Sequence, residues 1–135
     1  MRSLEKEKQL ITWLTGHSEI EMAILFGSYS KGTENSHSDM DIAVQLSSAK
    51  TITAQEKLNY LMELSKLLEI EIDLVDLNRV GQPLLSQIIK YGKRLVGSDA
   101  RYVELTIKNI NTTQDFMPYI ERMLLERRNR WLSNG

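Results

Sequence analysis

The sequence predicts an α/β protein of the α+β type: a small mixed sheet of three to four strands flanked by helices. A continuous apolar run, residues 22–26, is followed by two stretches, residues 39–46 and 70–75, in which apolar and polar residues alternate as they do along strands. Helical periodicity precedes, separates and follows these runs. The length of 135 residues suits a single domain, 1–135, whose last part, from about 98, is predicted to be helical.

The first helix and strand are defined by their apolar residues. Leu4, Ile11 and Leu14 recur at roughly helical spacing among charged residues, which predicts an amphipathic helix ending near Gly16. The run MAILF, which ends at Gly27, is typical of a strand buried on both faces.

The second strand has two chemically different faces. Successive side chains of a strand point to opposite sides, so one face is predicted to be core and the other to be available for function. The core face carries Met40, Ile42, Val44 and Leu46, and the opposite face carries Asp39, Asp41, Ala43 and Gln45.

The next helix begins with a capping box, Thr53 to Glu56. Its predicted buried side consists of Leu58, Leu61, Ser65 and Leu68. A third strand follows, in which Ile70, Ile72 and Leu74 alternate with Glu71, Asp73 and Val75.

Proline and glycine mark the remaining elements. Pro83 and Gly92 enclose a short apolar helix, and the run KRLV at 93–96 predicts a fourth strand. The pattern is helical from Ser98 onward, and Pro118 predicts an interruption near residues 111–118.

Composition narrows the class of function. A net charge of -1 gives no global positive field, which does not favour direct binding of nucleic acid. The chain has no cysteine, which excludes disulfides and cysteine nucleophiles and agrees with a reducing cytoplasm. The N-terminal residues carry charges and no long apolar run, so we expect neither a signal peptide nor a membrane span, and we expect a cytoplasmic protein.

Asp39 and Asp41 form an unusual pair of like charges. At positions i and i+2 of a strand their Cα atoms lie about 6.6 Å apart on one face, where repulsion costs about 2 to 3 kcal/mol. Solvated carboxylates at a strand entrance are one interpretation. Mg²⁺ offers another, because it binds carboxylate oxygens and leaves coordination positions for substrate phosphates.

A third acid is expected on the neighbouring strand. Glu71 and Asp73 share the polar face of that strand, whereas Asp76 has the parity of the apolar set or lies beyond the strand. At the end of the first strand, Gly27 permits close approach, and the backbone amides around Ser28 can meet a phosphate.

These residues together resemble the minimal nucleotidyltransferase (MNT) domains of the DNA polymerase beta superfamily. The matching pattern is Gly27-Ser28, a spacer of ten residues, Asp39-Met40-Asp41, and a later acid in IDLVDL at 72–77. The resemblance implies a polymerase-beta-like nucleotidyltransferase fold. It also implies that Asp39, Asp41 and Asp73 are catalytic and bind two Mg²⁺ ions, with Asp73 preferred over Glu71 by family position, and that Gly27 and Ser28 bind the triphosphate of ATP.

Small members of this family are commonly antitoxins paired with a HEPN ribonuclease toxin. The resemblance therefore implies that this chain transfers AMP from ATP to a hydroxyl, expected to be that of a tyrosine, of a HEPN-type toxin and so neutralises it. Two alternatives stay open. The same chemistry could act on a small molecule or an RNA end, or the chain could be a non-catalytic antitoxin that masks its partner.

Overall fold

A computed structural model of the chain describes residues 2–27, 39–109 and 117–134. The described helices and strands follow in the order α1 (Arg2–Thr15), β1 (Ile20–Phe26), β2 (Met40–Leu46), a 3₁₀ turn (Ser47–Ala49), α2 (Ala54–Leu68), β3 (Ile72–Asp76), α3 (Leu84–Tyr91), β4 (Lys93–Val96), α4 (Asp99–Asn109) and α5 (Met117–Asn134). The predicted fold class is confirmed, including the fourth strand.

In the described part of the chain, four strands form one mixed sheet in the order β3-β2-β1-β4. The central strand β1 is antiparallel to β2 and to β4, and β2 is parallel to β3. Parallel strands need a crossover connection, and α2 lies between β2 and β3 in the chain. The starts of β2 and β3 therefore lie at the same edge of the sheet, where β1 ends.

The main core lies between one face of the sheet and helices α1 and α2. The buried side chains there come from both helices and from alternate strand positions, and they include Leu10, Leu14, Ile42, Val44, Leu64, Leu68 and Leu74. Burial of such apolar surface is the largest favourable contribution to folding. The capping box at the start of α2 is also confirmed, because the Thr53 side chain accepts from the Glu56 amide and the Glu56 side chain accepts from the Thr53 amide.

The buried side of α2 differs from the prediction. Leu58 is 51% exposed, and Tyr60 is only 6% exposed; Ser65, also predicted on the inner side, is exposed. Tyr60 contacts α1, since its ring meets the Trp13 ring edge-on with 5.4 Å between centroids. Its hydroxyl donates to Glu19 at 2.8 Å. Tyr60, rather than Leu58, therefore faces the core.

The second face of the sheet is also partly covered. Ala43, predicted on the available face of β2, is fully buried, and so are Met22 and Ile24 of β1. A Cβ atom added to Gly92 would collide with Ile24 Cγ2, so the end of α3 packs directly against β1. The prediction of an available face is therefore wrong at Ala43, because a central strand buried on both sides needs a cover on the second face.

The chain divides into two compact units, Met1–Gly97 and Ser98–Gly135. The second unit contains α4 and α5, which an ion pair joins at 3.6 Å between Arg127 Nε and Asp99 Oδ2. Most of the predicted interruption near residues 111–118 lies outside the described residues, and Pro118 falls in the first turn of α5. The assignment of 1–135 as a single domain stays a prediction. Among the described helices, none combines the length and apolarity needed to cross a membrane.

Candidate active site

The edge of the sheet where β2 and β3 begin brings the predicted acids together. Asp41 of β2 and Asp73 of β3 are direct partners in the parallel register. Partners on adjacent strands lie about 4.8 Å apart in the hydrogen-bonding direction, with side chains on the same face. Asp39 precedes β2 by one residue and is exposed. The expected approach of Asp73 to the Asp39–Asp41 pair is thus found.

Asp41 experiences the charge of both other acids. Its pKa is raised from the ordinary value of 3.8, first by partial burial, then by the charge of Asp73 and then by that of Asp39. Each neighbouring carboxylate makes ionisation of Asp41 less favourable. A cation at this edge would reverse that effect, because it would attract all three carboxylates.

The donor atoms at this edge suit Mg²⁺, which takes carboxylate oxygens as ligands. Over the part of the chain that the structure describes, no three acidic or histidine side chains are gathered closely enough to define a metal position. The three acids share one edge and one electrostatic environment. Their assignment as metal ligands stays a prediction.

Gly27 lies directly beside the Asp41 carboxylate. It follows Phe26, the partner of Asp41 in the antiparallel register, and has a φ of 74°. A Cβ atom on Gly27 would collide with Asp41 Oδ2 and lie 3.3 Å from Asp41 Cγ. The sequence predicts that Gly27 faces the aspartates, but it did not predict Phe26 as the register partner of Asp41, because that follows from strand pairing. Ser28 lies outside the described residues, so its contact with a phosphate stays a prediction.

Glu71 and Asp76, the other two acids in or beside β3, occupy environments that differ from that of Asp73. Glu71 is exposed just before the strand, and its backbone carbonyl accepts from the Met40 amide at 3.0 Å. Asp76, the partner of Val44, lies at the other end of β3. Its carboxylate accepts from two backbone amides, those of Ile52 at 2.8 Å and Asn78 at 2.9 Å. Asp76 therefore stabilises a turn away from the candidate site.

The polymerase beta nucleotidyltransferase family model matches residues 8–101, which include Gly27, Asp39, Asp41 and Asp73. The chain therefore belongs to this family of nucleotidyltransferases. Over 114 residues it is 31% identical to the protein adenylyltransferase MntA of Shewanella oneidensis, an alignment that covers 84% of this chain and 81% of that protein.

Solved structures extend the likeness to nearly the whole chain. A crystal structure of a toxin-antitoxin with AMP-PNP has a TM-score of 0.70 and 27% identity, and covers 95% of this chain and 96% of that one. A second structure shows the tri-AMPylated HEPN toxin of Shewanella oneidensis in complex with its MNT antitoxin. It has a TM-score of 0.66 and 25% identity, and covers 99% of this chain and 98% of that one.

Proposed function

We propose that this chain is a magnesium-dependent protein adenylyltransferase that transfers AMP from ATP to a tyrosine hydroxyl of a HEPN-type toxin and thereby neutralises it. The observation that carries the proposal is the register pairing of Asp41 with Asp73, with Asp39 close enough to raise the pKa of Asp41. The relatives support the acceptor class, since one is a protein adenylyltransferase and another is bound to an AMPylated HEPN toxin.

We assign a role to each residue of the site. Asp39, Asp41 and Asp73 would hold two Mg²⁺ ions, and Gly27 and Ser28 would bind the triphosphate of ATP. In a nucleotidyl transfer, two bound Mg²⁺ ions stabilise the negative charge on the oxygen that attacks the α-phosphorus and on the oxygen that leaves it. Asp39 and Asp73 are exposed at this edge of the sheet, and Asp41 is partly buried.

The proposed reaction is one direct transfer. The acceptor hydroxyl oxygen forms a bond to the α-phosphorus of ATP as the bond to pyrophosphate breaks, and the hydroxyl proton passes to water. The chain has no cysteine. His17 belongs to a cluster with Trp13 and Glu63, beyond the opposite end of β1. His37 lies outside the described residues. These features agree with chemistry that depends on the metal ions and on positioning of the two substrates.

The test combines the chain with magnesium, α-labelled ATP and a HEPN toxin, followed by intact mass measurement of both proteins. We expect one or more AMP units on the toxin with the wild-type chain, and loss of toxin ribonuclease activity. Asp41→Asn should abolish both effects. Asp76→Asn is the matched control, because it makes the same change on the same sheet away from the candidate site.

Other outcomes would identify other functions. Neutralisation by Asp41→Asn without added mass would indicate masking of the toxin. Label on RNA or on a small molecule in place of the toxin would indicate a different acceptor. We place the reaction in the cytoplasm, which agrees with a chain that has no cysteine.

A further inference from the structure

Gly27 has no room for a side chain on the side that faces Asp41. A Cβ atom there would overlap Asp41 Oδ2, while Asp41 Cγ and Cβ would lie at 3.3 and 3.6 Å. All three nearest atoms belong to the Asp41 side chain. The space that glycine leaves at position 27 is therefore occupied by one carboxylate.

Strand pairing brings Gly27 and Asp41 side by side at the end of β1. Phe26 is the antiparallel partner of Asp41, so the next residue, Gly27, turns beside the Asp41 side chain at the end of β1. The φ of 74° at Gly27 is in the left-handed region, which glycine adopts readily and most other residues avoid. The backbone conformation thus favours glycine here, and a Cβ at this position would displace the Asp41 carboxylate.

We propose that Gly27 is a positioning residue for Asp41, and that its lack of a side chain sets where the Asp41 carboxylate stands. This inference rests on the proposed function. It adds a second role for a glycine that is otherwise assigned to the triphosphate. A Cβ at position 27 would meet the free end of a side chain, which can rotate away. The fold therefore survives the substitution, and the carboxylate leaves its place.

Two substitutions at position 27 separate steric space from backbone strain. Gly27→Ala adds a Cβ and disfavours the positive φ. Gly27→Asn adds the same Cβ, but asparagine tolerates the left-handed region better than alanine. If displacement of Asp41 causes the defect, both variants lose function to the same degree. If strain causes it, asparagine restores most of the function.

Nucleotide binding provides a measurement besides activity. The affinity for AMP-PNP is measured by calorimetry with magnesium and with EDTA, for the wild-type chain, Gly27→Ala, Gly27→Asn, Asp41→Ala and the double variant Gly27→Ala/Asp41→Ala. We expect both Gly27 variants to lose the magnesium-dependent gain in affinity, as Asp41→Ala does. In the Asp41→Ala background, Gly27→Ala should cause no further loss of the magnesium-dependent gain. AMP transfer by the Gly27 variants should fall about 100-fold, the effect of a small misplacement of a catalytic group.

The alternatives give different results. Recovery of most of the AMP transfer in Gly27→Asn would overturn the positioning role. Retention of the magnesium-dependent gain in affinity in both Gly27 variants would also overturn it. A loss of affinity of the same size with magnesium and with EDTA, repeated in the Asp41→Ala background, would assign Gly27 to the phosphates alone and would also overturn the positioning role. A wild-type chain without any magnesium-dependent gain would instead overturn the proposed function, and the positioning role with it.

Discussion

Asp73 and Asp76 lie on the same short strand and have opposite surroundings. Asp73 is exposed at the start of β3, in register with Asp41, and its charge raises the pKa of Asp41. Asp76 ends the strand about 10 Å away, and its carboxylate accepts hydrogen bonds from the amides of Ile52 and Asn78. The first acid faces other negative charges, and the second faces backbone donors.

This difference separates a candidate functional acid from a structural one. A carboxylate that accepts backbone N–H groups is stabilised by the fold itself. Carboxylates that repel one another lower the stability of the fold, and a bound cation would reverse that effect. The surroundings of each acid, rather than its type or its strand, therefore indicate its role.

The largest expected effect is the loss of AMP transfer when the charge of Asp41 is removed. Asp41→Asn keeps the shape of the side chain and removes its charge, so we expect AMP transfer to fall about 1000-fold, the loss of about 4 kcal/mol of transition-state stabilisation. The rate of labelled AMP transfer to the toxin measures it. Activity within about tenfold of the wild type would remove Asp41 from the proposed metal site.

The next largest effect on AMP transfer should distinguish Asp73 from Glu71 as the third acid of the site. Asp73→Asn should reduce AMP transfer about 100-fold, about 2.7 kcal/mol, whereas Glu71→Gln should change it by less than about twofold. Magnesium titrations of both variants provide the check, because loss of a ligand raises the magnesium concentration needed for half-maximal rate. The reverse pattern would assign the third position to Glu71.

Removal of the structural acid should affect stability. Asp76→Ala leaves the amides of Ile52 and Asn78 without their acceptor, which should cost about 2 kcal/mol in the free energy of unfolding. Asp76→Asn retains one acceptor oxygen and should cost less. Urea denaturation measures the difference, and the folded variants should retain AMP transfer. Loss of activity in folded Asp76→Asn would contradict the purely structural role assigned to Asp76.

The smallest effect concerns the pKa of Asp41. Because that pKa is raised, the folded protein binds a proton more readily than the unfolded chain, so ionised Asp41 lowers stability above the raised pKa. Without magnesium at neutral pH, Asp41→Asn should therefore raise Tm by about 2 °C, a small gain because water screens the half-exposed group. The gain should shrink as the pH falls through the raised pKa and vanish below 3.8. A lower Tm for Asp41→Asn at neutral pH would contradict the repulsion.

Most of the local structure was predictable because it depends on neighbouring residues. The alternation from Met40 to Leu46 identified β2, and the residues Thr53 and Glu56 identified the start of α2. The inner side of α2 was not predictable, because Leu58 and Tyr60 are both compatible with helical periodicity. The contacts of Tyr60 with Trp13 and Glu19, from distant parts of the chain, decided it.

The sequence by itself determined the strands, the acid-bearing face of β2 and the spacing from Gly27 to Asp39 and Asp41, since strand geometry and side-chain parity are local properties. Only the tertiary structure decided that Asp41 pairs with Asp73, that Asp76 serves a turn and that Gly27 gives space to the Asp41 carboxylate. These features depend on strand order and register. Contacts between distant segments set both, so no single segment specifies them.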